Sequence, residues 1–180
     1  MIPIEKRRNL KTNIEQQMKS SSEYTPNLSF GLLLMGAAKS GKTSFALQFP
    51  RPFVADCDNN LSGPSEYLKD KGLPPFFYET INVKEDGSER PIDQRWSKLT
   101  EVVKEAVVST KVETIIVDSL SSITDYLVEH ILRSEGQKNM RIQDWQPFQY
   151  MLKRLITYIR SSGKKMILAC EDHFDPRGRK

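Results

Sequence analysis

Long hydrophobic runs are missing from this chain. No apolar stretch comes near the ~18 residues that a membrane-spanning helix requires, so nothing in it reads as a span. The opening Met1-Ile2-Pro3-Ile4-Glu5-Lys6-Arg7-Arg8 is polar and has no apolar core of the kind a secretory leader carries. Two cysteines, Cys57 and Cys170, make a poor disulfide framework. Both end apolar runs, where a free buried thiol is the common case. These shortages point to a cytoplasmic, reduced setting. No stretch repeats, no guanine-reading Asn-Lys-x-Asp occurs, and no arginine-rich lid stands out. An excess of one charge sign is also lacking. The net charge of +4 is only a mild sign of a polyanionic partner. At 180 residues the chain fits one domain with its own core.

What is present is more specific. Gly36-Ala37-Ala38-Lys39-Ser40-Gly41-Lys42-Thr43 fits G-x-x-x-x-G-K-[ST], the Walker A phosphate-binding loop. The apolar run Phe30–Met35 before it reads as a short buried strand, and residues 43–49 after it as the first turns of a helix. Strand, glycine loop and helix are the context this motif needs. The loop amides of Gly36, Ala37, Ala38, Lys39, Ser40, Gly41, Lys42, Thr43 and Ser44 would then seat the phosphates of a nucleotide. Lys42 would add a point charge at the β- and γ-phosphates, and the Thr43 hydroxyl would ligate Mg²⁺. Gly36 and Gly41 fit a loop with unusual backbone angles and close approach to its ligand.

Along the chain, residues 1–29 read as a polar, basic N-terminal extension. From residue 30 strands and helices alternate. Strands are expected at 52–56, 76–81, 114–118 and 165–170. Helices are expected at 93–110, 120–132 and after Asp144, which reads as an N-cap. Residues 59–75, rich in glycine and proline, read mostly as connection, and 85–90 as a polar turn. The alternation predicts a three-layer α/β/α domain with a mainly parallel sheet.

A phosphate loop alone binds anions; hydrolysis needs a metal-ordering acid and a group that positions water. Asp118 ends the apolar strand 114–118, and ligands of parallel sheets lie beyond the carboxyl ends of the strands. It is the metal acid by position, although it also reads as a helix N-cap. Strand two ends in Asp56-Cys57-Asp58. Asp58 is the first candidate for the water-positioning carboxylate and Asp56 the second, with an Asx turn at 58–60 as the competing reading. The last strand ends in Glu171-Asp172-His173, where Glu171 or His173 would contact the γ-phosphate.

These residues in this order resemble the core of the RecA-like P-loop ATPases, especially small phage-encoded nucleotide-binding proteins of that group. The resemblance covers roughly residues 30–176. It implies an ATP- and Mg²⁺-dependent ATPase acting on single-stranded DNA in recombination or replication, assembled as a ring or filament. It implies that the last strand lies between the phosphate-loop strand and the Asp118 strand. It implies a carboxylate at Asp58, where the family usually has the longer glutamate. It also implies two DNA-lining loops. One matches Arg133 to Arg141, with Arg133, Lys138 and Arg141 as contacts. The other matches Phe174 to Lys180, with Arg177, Arg179 and Lys180. The domain over 30–180 would then be C-terminally incomplete, since family cores continue with further strands. Arg7 and Arg8 are candidates for contacts between subunits.

Two other functions share the same loop. One is a small-molecule kinase, for which residues 84–95 would have to serve as the lid. The other is a nucleotide-gated binding module with little turnover, which the short Asp58 side chain favours.

Overall fold

The computed structural model describes residues 29–171. Five parallel strands form one sheet: β1 (Gly31–Gly36), β2 (Pro52–Asp56), β3 (Phe77–Thr80), β4 (Thr114–Asp118) and β5 (Lys165–Glu171). Their order is β1-β5-β4-β2-β3. The last strand therefore lies between the phosphate-loop strand and the Asp118 strand, as the resemblance implies. Among the described residues five α-helices connect the strands, α1 (Lys42–Ala46), α2 (Ser62–Asp70), α3 (Ile92–Val108), α4 (Leu120–Ser134) and α5 (Trp145–Ser161), with a 3-10 turn at Ile142–Asp144 leading into α5. No described helix is long and apolar enough to cross a membrane.

Two apolar layers sandwich the sheet. Side chains of Ala55, Ile115, Val117, Met166 and Leu168 pack against α3, α4 and α5 on one face. Those of Val54, Ile116 and Ile167 pack under α1 and α2 on the other. Central β4 is covered on both faces, which is why it reads as an unbroken apolar run rather than an alternating one. This is the three-layer α/β/α arrangement expected from the alternation.

Several local expectations change. Among the described residues β1 is an edge strand of the sheet, and none of its residues is fully buried. Leu32 and Leu34 pack into the core, whereas Leu33 and Met35 stand 50% and 63% exposed, beyond the reach of α3–α5. Residues 62–70 form α2 where a connection was expected. Pro64 sits in the first turn, where a missing N–H breaks no helical bond. Helix α1 stops at Ala46, and the backbone turns at Gln48 and Phe49. Asp144 makes no capping bond to α5; its carboxylate accepts from the Arg141 N–H at 2.8 Å and the Arg141 guanidinium at 3.1 Å. Cys57 is buried and Cys170 only half-buried, and both thiols are free.

Candidate functional site

The phosphate loop leaves β1 at its carboxyl end and turns into α1. Gly41 sits at φ 86°, a left-handed conformation that costs an L side chain ~1–2 kcal/mol. A Cβ on Gly36 would lie 3.0 Å from Ser40 Oγ, so a side chain there would require the Ser40 hydroxyl to give way by a few tenths of an ångström. Lys42 Nζ donates to the carbonyl oxygens of Gly36 and Ala37, each at 2.9 Å. An ammonium has three N–H donors, so one remains for a ligand without breaking either bond.

Strand β4 delivers Asp118 to the same rim. Thr43 Oγ1 donates a hydrogen bond to Asp118 Oδ2, so the two expected metal-site groups are in contact. Asp118 does not cap α4. That task falls to Ser119, whose hydroxyl oxygen accepts from the Ser122 N–H at 3.4 Å. The Asp118 carboxylate is thereby free to face the loop. Burial pushes this carboxyl above the usual range. The Thr43 bond pulls it back, Asp58 pushes it further up, the Lys42 charge pulls it down, and Glu171 raises it again.

Asp56 and Asp58 divide their roles. Asp56 is buried, and its Oδ1 accepts from the N–H groups of Asp58 and Asn60 at 3.2 and 3.3 Å. The Asx-type turn therefore belongs to Asp56, not Asp58. Burial raises the Asp56 carboxyl despite those amide bonds. Asp58 instead reaches forward and accepts a hydrogen bond from the Ser122 hydroxyl of α4. Behind it, buried Tyr126 donates its O–H to the Cys57 carbonyl at 2.5 Å. Ser122 and Tyr126 lie four residues apart and so share one face of α4, fixing the turn that presents Asp58.

These groups surround an open cleft of about 480 Å³. Residues 38–44, Asp58, Asn60, residues 62–64, Asp118 and Glu171 line it. Such a volume is in the range of small-molecule sites. One wall is amide-rich and carries Lys42. The other holds three carboxylates, and one of them, the half-buried Asp118, is already pushed towards protonation. A divalent cation would relieve that charge. The oxygen donors present, one hydroxyl and carboxylates, suit Mg²⁺, which keeps waters and substrate phosphates as its other ligands. Among the described residues no group of three or more His, Cys, Asp or Glu forms a self-contained metal site.

Other expected residues lie elsewhere. Helix α4 crosses from the Asp118 rim to the start of α3, where Arg133 pairs with Asp93 at 3.1 Å. Arg141 pairs with Asp144, and Lys138 is exposed. None of the three lines the cleft. His173, Arg177, Arg179, Lys180, Arg7 and Arg8 lie outside the described residues. The segment 84–95 is held in place by its own arginines. Arg90 donates to the carbonyls of Ile81 and Val83, and Arg95 to that of Arg90. Neither reaches the cleft. Sequence reading missed Ser122, Asn60 and the 62–64 turn. The Ser119-x-x-Ser122 spacing after Asp118 was the available signal for the first.

A family model described as an AAA domain matches residues 30–173, spanning the loop, Asp58, Asp118 and Glu171. No curated protein matches the chain at a significant level.

Proposed function

The chain belongs to the AAA-domain family, and from that premise we propose that it binds Mg²⁺–ATP in the loop–Asp118 cleft and hydrolyses it while acting on single-stranded DNA. The observation that carries the reading is the contact between Thr43 and Asp118 beside Lys42. It brings the loop threonine and the carboxylate that ends β4 to one point of the rim, which supports reading the first as part of a phosphate seat and the second as a metal acid.

The roles follow from the chemistry of each group. The loop amides and Lys42 hold the phosphate tail, with Lys42 already anchored to the loop carbonyls so that little ordering remains on binding. Mg²⁺, when bound, supplies charge neutralisation at the phosphates. Thr43 and Asp118 would hold it. Asp58 is the water-positioning carboxylate; Ser122 occupies one of its oxygens and fixes its direction. Glu171 ends β5 on the same cleft and senses whether the terminal phosphate is present. The DNA role, in recombination or replication, and assembly into a ring or filament rest on the resemblance to RecA-like ATPases.

Of the alternatives, a kinase is disfavoured by the arginines of 84–95 being engaged outside the cleft. The test is phosphate release with and without single-stranded DNA and with a panel of nucleosides. DNA-stimulated release supports the proposal. Transfer to a nucleoside would make the protein a kinase, and tight ATP binding without release would make it a binding module.

A further inference from the structure

Helices α3 and α5 lie side by side on the face of the sheet covered by the larger core. Their C-terminal ends are tied together by Lys164 Nζ, which donates to the carbonyls of Ser109 and Val112 at 2.7 and 2.5 Å. Further up, the helices part and leave a groove of about 340 Å³. One wall is the α5 row Tyr150, Arg154, Tyr158; the other is the α3 row Trp96, Thr100, Lys104. Each row has four-residue spacing, so each lies along one face of its helix.

The chemistry of this groove is one-sided. No carboxylate lines it. Helix α5 carries Lys153, Arg154 and Arg160 and no Asp or Glu, alone among the described helices of eight residues or more. Among the described residues, neither Arg154 nor Lys104 has an ion-pair partner. The nearby α3 acids are directed elsewhere: Glu101 lies 3.8 Å from Lys98, and Glu105 lines a different groove. Tyr150 is 64% and Tyr158 38% exposed. These large rings therefore face solvent with a guanidinium between them.

We propose that this groove is a track for single-stranded DNA, with bases stacked on Tyr150 and Tyr158 and phosphates paired with Arg154 and Lys104. The inference rests on the reading of the protein as an ATPase acting on single strands. Cations with interleaved aromatics are the recognition chemistry of sequence-tolerant single-strand binding. Eight helical residues separate the two rings, ~12 Å at 1.5 Å per residue, about three to four nucleotides at the 3.4 Å rise of a stacked strand. A duplex offers no free base faces to the rings. An acidic peptide would satisfy the cations but leave the tyrosines without a partner. Helix α5 runs directly into β5, whose last residue is Glu171 in the nucleotide cleft. One continuous segment thus joins the groove to that cleft.

The test is fluorescence anisotropy of labelled oligo-dT with the full chain, over a series of salt concentrations. Tyr150→Leu and Tyr158→Leu should each weaken binding by about fivefold or more, and Tyr150→Phe should restore it. Arg154→Gln and Lys104→Gln should each lower the salt slope by about 0.7. Binding of a fluorescent ATP analogue, read in parallel, reports whether each variant is folded with its cleft intact. Wild-type binding of oligo-dT that all four loss variants retain would overturn the groove while leaving the DNA reading standing. No binding by the wild type would overturn both. Equal competition by polyglutamate and unlabelled oligo-dT would show a site for acidic chains, and would overturn base stacking.

Discussion

Thr43 donates its hydroxyl to the Asp118 carboxylate across 75 residues of sequence. The loop that follows β1 and the end of β4 are brought together because β5 alone separates those strands, all three in parallel register. Glu171 pairs with Gly36 at the same rim, and Asp56 pairs with Asp118. The sheet therefore places Gly36, Glu171, Asp118 and Asp56 in one line of carboxyl ends.

Lys42→Ala should weaken binding of Mg²⁺–ATP by roughly ten- to a hundredfold, the range of a charge-assisted hydrogen bond of ~1.5–3 kcal/mol. Titration with a fluorescent ATP analogue measures it. The two bonds to the Gly36 and Ala37 carbonyls are lost as well, so part of the effect is a looser loop.

Asp118 and Asp56 both carry carboxyls raised above their ordinary values, chiefly by burial. The folded state then holds protons that the unfolded chain releases. Their contribution to stability falls as pH rises from the ordinary carboxylate value through the raised values. Mg²⁺ binding needs Asp118 ionised, so its linkage has the opposite sign. The gain in melting temperature on adding Mg²⁺–ATP should be larger at about pH 7.5 than at about pH 5. Asp118→Asn should reduce the Mg²⁺-dependent part of that gain and flatten its pH dependence.

Asp58→Asn should leave ATP affinity within about twofold and abolish phosphate release, because a neutral amide cannot accept a proton from water. Ser122→Ala should produce a milder loss of turnover at unchanged affinity, since the carboxylate remains and only its hydrogen-bonded orientation is lost. Steady-state release combined with equilibrium binding separates the two effects. Retained turnover in Asp58→Asn would remove Asp58 from the mechanism.

Tyr126→Phe tests the support behind the site. The phenol is buried and donates to the Cys57 carbonyl between Asp56 and Asp58. Its removal leaves that acceptor without its side-chain donor and should cost about 1–2 kcal/mol in urea unfolding. It should also lower turnover more than ATP binding, because the turn carrying Asp58 is loosened while the phosphate loop is untouched.

The parts of the site legible in the sequence were those written locally. The octet 36–43 carries its own glycines and lysine, and β4 runs Thr114-Ile115-Ile116-Val117 into Asp118 because a strand covered on both faces needs no alternation. What escaped reading depended on partners far along the chain. Ser122 holds Asp58 from 64 residues away, and no local pattern states that pairing. Asp56 took the turn amides because it is the last buried residue of β2, leaving Asp58 to reach the cleft. Pro64 and Gly63 argued for a loop, yet the first turn of a helix tolerates both. The apolar run of β1 did not reveal that, among the described residues, only its Leu32 and Leu34 face is packed while Leu33 and Met35 stand exposed.

The most direct test of the central claim is a crystal structure with Mg²⁺ and a non-hydrolysable ATP analogue. The account predicts the terminal phosphates on the amides of residues 38–43, Lys42 Nζ on a phosphate oxygen, and the ion between Thr43 Oγ1 and Asp118. A nucleotide bound elsewhere, or an ion at that loop with Asp118 turned away from it, would contradict the account.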